Sequence, residues 1–147
     1  MKNKPLSIYL ASHYSRKEEI KAVATALTQI GVVITSTWIH ERAKSQSQLG
    51  DVSRQSLRKN GNRDLKEIRK AEWLVLFSVS PTVKFTRGGS VYENGYAHGI
   101  GKKCFVVGPE QNIFHILYKR KQKFSDFTKF FEFVKTEQKR RGYNVGK

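Results

Sequence analysis

The chain has 147 residues, 38% of them apolar, and a formal net charge of +16. That length holds one hydrophobic core but not two full-sized ones, and no run approaches the ~18 consecutive apolar residues of a spanning helix. The charge favours polyanions such as phosphorylated metabolites, nucleic acid or anionic surfaces, without choosing among them or excluding a merely solubilising surface.

Residues 1–5 precede a short apolar run with no cleavage-like region, so neither a secretory signal nor a membrane segment is expected and the expected location is cytoplasmic. Residues 6–10 read as a first strand ending at the small polar pair Ala11 and Ser12. From Arg16 the period changes. Ile20, Val23, Ala26, Leu27 and Ile30 recur three and four apart, one apolar face of a helix that Gly31 stops. Residues 32–35 give a second, β-branched strand running toward Trp38.

Residues 41–48 show no period and read as a loop or lid. Helix is expected over residues 49–56. After an interruption at Asn60, Gly61 and Asn62, the positions of Asp64, Leu65, Ile68 and Ala71 form a short amphipathic helix leading into a third strand, Trp73–Phe77. Residues 78–89 are loop-like, with Pro81 against regular structure and Gly88 and Gly89 open to left-handed backbone. A helix over residues 90–100 follows, ended by Gly101, then a fourth strand, Lys103–Val107, and a break at Gly108 and Pro109. Residues 112–118 suggest a short helix. Ser125 is placed to cap a final helix carrying Phe127, Phe130, Phe131 and Val134 on one side.

Strands and helices alternating in this way, with strands apolar throughout, predict an α/β fold. It is a single-domain parallel sheet with helices on both faces, Rossmann-like or flavodoxin-like, over residues 1–140, with a basic polar tail at 141–147. Ligands of such sheets collect beyond the carboxyl ends of the strands. That rule gathers Tyr9, Ala11, Ser12, Trp38, Ser78 and residues 87–93 along one edge.

The strongest chemical signal is the stretch 87–99, RGGSVYENGYAHG, read as a loop delivering Glu93 into a nucleotide- or nucleoside-sized pocket. Glu93 is expected in the first turn of its helix, where backbone amides favour the carboxylate and so a nucleophile or cation stabiliser. An ordinary capping glutamate also fits that position, although Gly88, Gly89 and Gly95 lower helix propensity where folding does not require it. Asp64 either orients a sugar hydroxyl or caps a helix with Glu67 in capping-box spacing. Tyr9 and Trp38 form an aromatic wall for a base or belong to the core.

The glycine-rich stretch has no Gly-Lys-Ser/Thr to make a Walker loop, and the first strand leads to no dinucleotide fingerprint. His13, His40, His98 and His115 are scattered without metal-ligand spacing, and the single cysteine, Cys104, reads as a core thiol. Neither a metal nor a cofactor is expected.

Taken in order, these features resemble the nucleoside 2-deoxyribosyltransferase-like family, which includes deoxynucleoside-monophosphate N-glycosidases. The resemblance spans residues 6–134 and rests on Ile8-Tyr9-Leu10-Ala11-Ser12, the segment 64–72, Arg87-Gly88-Gly89 with Glu93-Asn94-Gly95-Tyr96-Ala97, Gly101-Lys102, and Val107-Gly108 with Asn112-Ile113-Phe114. It implies Glu93 as the nucleophile at the anomeric carbon of a 2-deoxyribosyl group and Asp64 beside sugar and base. It further implies Tyr9 positioning the substrate, and Ser12 with the Arg87-Gly88-Gly89 loop around the sugar or a 5′-phosphate; Ser78, Trp38 and Asn112 complete the expected binding set. It also implies a homodimer or higher homo-oligomer, for which Phe114, Tyr118 and the Phe-rich final helix are candidate contacts.

Two departures from the family pattern stand out. Arg87 replaces the aspartate that classical transferases carry six residues before the glutamate, which shifts the expected substrate from a free nucleoside toward a phosphorylated one. Glu72 replaces an aspartate at a helix-to-strand junction, a conservative structural change. The alternatives are a nucleotide-binding sensor or sequestering protein without turnover, a nucleic-acid-associated basic protein and, more remotely, an NAD-cleaving enzyme.

Overall fold

The computed structural model describes residues 3–41, 53–80, 82 and 87–146. Five parallel strands run in the order β2-β1-β3-β4-β5: β1 Ser7–Ser12, β2 Val33–Ile34, β3 Trp73–Phe77, β4 Lys103–Val107 and β5 Lys123–Phe124. The helices are α1 Lys17–Gln29, α2 Arg54–Lys70, α3 Gly89–Gly99 and α4 Phe127–Arg140. This is the expected single-domain parallel sheet with helices on both faces. No helix among the described residues is long and apolar enough to cross a membrane.

The two faces follow from the two-residue period of a strand. Tyr9, Leu74 and Cys104 stand side by side in register, and the row lies under α3, since Tyr9 bonds Glu93 and the Cys104 thiol lies 4.0 Å from the Asn94 carbonyl. Trp73 and Phe105 point the other way, into α4. Their rings meet at 4.6 Å, and Phe105 lies 5.9 Å from Phe130 and 5.5 Å from Phe133. Every residue of β3 is buried, as the central strand of a sheet covered on both sides requires.

Several local expectations change. Helix α2 runs unbroken through Asn60, Gly61 and Asn62. The ~1 kcal/mol helix penalty of a single glycine is outweighed by tertiary packing, with Ile68 fully buried, and by the Ser53 cap, whose hydroxyl accepts from the Ser56 amide at 3.1 Å. Asp64 therefore lies inside a helix and caps nothing. The cap of α4 is Asp126, not Ser125, because its carboxylate reaches the Lys129 amide at 2.9 Å. The segment at 112–118 is a 3-10 turn, Ile113–Leu117, and β2 is shorter than expected. Strand β5 carries only two ladder residues, too few to show a sequence period. Most of the expected lid at 41–48, the first part of the helix expected at 49–56, and Pro81 lie outside the described residues.

Residues 141–146, expected as a polar tail, are built into the body. The Arg141 guanidinium donates to both Glu72 oxygens at 2.9 and 2.8 Å and to Glu137 at 2.9 Å. Asn3 donates its amide to the Arg141 carbonyl, Tyr143 donates its hydroxyl to the Asn3 carbonyl, and Val145 packs against the core.

Candidate active site

The site begins with the turn before α3. Gly88 has φ +81°, a left-handed conformation that disfavours any residue with a Cβ, and it is the N-cap of α3 without a side-chain cap. The first amides of α3 consequently have no intrahelical acceptor and remain available to an anion. Among the described residues, nothing lies within 4 Å of where a Cβ would project from Gly88 or Gly89.

Glu93 follows in the second turn of α3, one turn later than expected, so the proposed amide stabilisation of its carboxylate does not apply. Burial instead pushes its carboxyl up to about 8, with Asp64 and Glu67 adding to the rise, while the hydrogen bond from Tyr9 and the charge of Arg63 oppose it. Tyr9 is fully buried in β1 and donates its hydroxyl to Glu93 Oε2. Burial and the neighbouring carboxylates push the Tyr9 phenol far above its ordinary value, so it remains a donor.

Asp64 projects from α2 toward the same point. Burial raises it to about 6 against the opposing hydrogen bonds of Arg63, whose Nη2 and Nε lie 2.8 and 3.1 Å from Asp64 Oδ1. Arg63 also pairs with Glu41 and lies 3.8 Å from Glu67. Glu67 in turn accepts from the Thr37 amide at 3.0 Å and from the Thr37 hydroxyl. One guanidinium thus gathers three carboxylates behind the site and ties α2 to the segment after β2.

Between these elements lies a cavity of about 590 Å³. The end of β1 and the turn after it contribute Ser12, His13 and Tyr14; α2 contributes Arg58, Gly61, Asn62, Asp64 and Leu65; and the turn before α3 together with the start of α3 contributes Arg87, Gly88, Gly89, Ser90, Tyr92 and Glu93. Trp38 closes one wall. Its indole N–H is spent on the Leu10 carbonyl at 2.8 Å, and its ring centroid lies 6.1 Å from that of Tyr14.

Of the residues singled out in the sequence, Ser12, Trp38, Asp64, Arg87, Gly88, Gly89 and Glu93 line this cavity, and Tyr9 supports it from beneath. Ser78 and Asn112 do not line it. The Ser78 hydroxyl donates to the Pro109 carbonyl at 2.5 Å, and Asn112 accepts from the Phe114 amide at 2.9 Å. Sequence reasoning missed Arg63 and the α2 wall. Arg58, Gly61, Asn62 and Leu65 have the spacing of one helix face, a signal hidden once the helix was broken at residues 60–62. Among the described residues no group of three or more His, Cys, Asp or Glu is arranged to hold a metal ion.

No protein-family model matches the chain, and no curated protein matches it in sequence. Solved structures do match. The 2-deoxyribosyltransferase of the psychrotolerant bacterium Bacillus psychrosaccharolyticus superposes with a TM-score of 0.63 at 18% identity, covering 85% of this chain and 90% of that one. A 2-deoxyribosyltransferase from Leishmania mexicana superposes with a TM-score of 0.61 at 15% identity, covering 90% of this chain and 98% of that one. Coverage and superposition agree: the chain has the fold of these 2-deoxyribosyltransferases.

Proposed function

We propose that the protein cleaves or transfers the N-glycosidic bond of a 2′-deoxynucleoside 5′-monophosphate through a glycosyl ester of Glu93. The observation that carries this reading is Glu93 on the cavity wall, braced by Tyr9 and facing the Asp64 carboxyl, with an open helix N-terminus and Arg87 in the same cavity. The ionised Glu93 carboxylate is the reacting form: the anomeric carbon–nitrogen bond breaks, the base leaves with the bonding pair and takes up a proton from solvent, and a carboxylate oxygen bonds to the anomeric carbon. Water or a second base then attacks that carbon, the ester opens and the carboxylate returns. Two displacements retain the configuration.

The raised Glu93 value shapes this chemistry. Before substrate binds, the carboxyl is largely protonated near neutral pH. Positive charge growing on the sugar favours the ionised form, so carboxylate stabilisation is greatest where the transition state needs it. Arg87 and the amides at the N-terminus of α3 supply the positive field for a 5′-phosphate.

The same protonation favours a second reading, a pocket that binds the nucleotide without turnover, because a neutral carboxyl is a poor nucleophile. Incubation with deoxynucleoside monophosphates and the matching nucleosides, with chromatography for free base, decides between them. Release or exchange of base, faster with the monophosphates and abolished in Glu93→Gln, is expected. No release or exchange from any of these substrates, or full activity in Glu93→Gln, overturns the proposal; tight binding without product selects the second reading.

The expected homo-oligomer has a candidate surface. Ile113, Phe114, Ile116 and Leu117 are 73, 65, 65 and 72% exposed on one 3-10 turn, an apolar concentration that a second copy would cover. Tyr118, a candidate contact in the sequence, turns inward and accepts from the Asn94 side chain at 3.0 Å.

A further inference from the structure

Gly61 is in the interior of the 17-residue helix α2 and lines the cavity. A glycine there costs about 1 kcal/mol relative to alanine. The fold does not require it: its φ is not positive, and among the described residues a Cβ at this position would meet nothing within 4 Å. What the missing side chain leaves is open width at the exposed α2 edge of the cavity.

The rest of the lining says what that width receives. Arg87, Gly88, Gly89 and Ser90 suit an anion, and Glu93 with Asp64 suits the sugar carbon under attack. A flat base attached to that sugar is left with the α2 wall and the rings opposite. Leu65, one turn beyond Gly61, offers apolar surface. Arg58 and Asn62 flank Gly61 and supply hydrogen-bonding groups, five donors on the guanidinium and both donor and acceptor on the amide.

Building on the proposed function, we infer that this α2 face seats the base and that Gly61 makes room for a bicyclic base over a monocyclic one. Bulk at position 61 meets the second ring and spares the first.

The test compares 2′-deoxyguanosine and 2′-deoxycytidine 5′-monophosphates by calorimetry in a Glu93→Gln parent, with and without Gly61→Ala or Gly61→Leu, alongside thermal melting. Tighter purine binding by the parent is expected. Gly61→Ala raises the melting temperature by a few degrees through helix propensity. It weakens the purine nucleotide about tenfold, the scale of one misplaced methyl in a fitted pocket, and leaves the pyrimidine nucleotide unchanged; Gly61→Leu enlarges the difference. A parent that binds both nucleotides while the Gly61 variants change neither, or weaken both equally, overturns the inference and leaves the functional reading standing. A parent and wild-type protein that bind neither nucleotide overturn both.

Discussion

Replacing Tyr9 with phenylalanine removes one hydroxyl from a fully buried ring and takes from Glu93 the hydrogen bond that most opposes the rise in its pKa. A hydrogen bond to a charged group is worth about 1.5–3 kcal/mol, and one pKa unit is about 1.4 kcal/mol, so Glu93 should move up by about one to two units from its value of about 8. At pH 7 the ionised fraction then falls from about a tenth to about a hundredth or less. If the carboxylate is the nucleophile, kcat/KM at pH 7 drops about 10- to 100-fold and recovers toward the wild-type plateau as pH rises past the new value. The assay is a pH–rate profile on a deoxynucleoside monophosphate, with the folded fraction checked by circular dichroism at each pH. A profile lowered equally at every pH, with its inflection unmoved, would refute the reasoning and leave Tyr9 a packing residue.

The same buried carboxyl has a cost in stability. Its folded value of about 8 lies above the ordinary 4.5, so the unfolded chain holds fewer protons between those values, and stability falls as pH rises across that window. Glu93→Gln should match wild type below about pH 4.5 and exceed it by about 1–3 kcal/mol near pH 8, read from urea denaturation; parallel curves contradict the assignment. At the opposite end of the molecule, Arg141 holds the Glu72 carboxyl below the usual range, and Arg140 and Arg141 bring Glu137 to about 2. Arg141→Ala should cost about 1–2 kcal/mol at pH 7, with the deficit shrinking as pH falls below about 4.5 and both carboxylates protonate; a deficit independent of pH would point to lost packing alone. Leu117→Glu places a charge in the exposed apolar turn and should convert the proposed oligomer to monomer in light scattering without lowering the melting temperature. A protein already monomeric, or an oligomer indifferent to the change, removes that surface from consideration.

The strands were legible because buried parallel strands are continuous apolar runs, and Trp73–Phe77 and Lys103–Val107 fall where such runs stand in the sequence. The loop-to-helix segment carrying Glu93 was legible because paired glycines before a helix mark a turn closed to ordinary side chains, as the φ of +81° at Gly88 shows. What the sequence concealed depends on partners distant along the chain. Helix α2 continues through Gly61 because packing at Ile68 outweighs local propensity. Glu93 resists ionisation because of burial and two carboxylates on another helix, neither of which its neighbours in sequence announce. Arg63 looked like one cation among many in a basic segment, and only the fold reveals that it gathers Glu41, Asp64 and Glu67. Residues 141–146 read as a tail because the partners of Arg141 and Tyr143 lie on other elements and near residue 3.

The unequal faces of the sheet have a dynamic consequence. Beneath α4, Trp73, Phe105, Phe124, Phe130 and Phe133 interlock ring against ring, whereas α3 carries Gly89, Gly95 and Gly99 along its length and rests partly on the polar Tyr9–Glu93 pair. Amides of α3 should therefore exchange with solvent through local openings of lower free energy than those of α4. Opening on that side would let the cavity admit and discharge its contents while the aromatic side keeps the sheet intact.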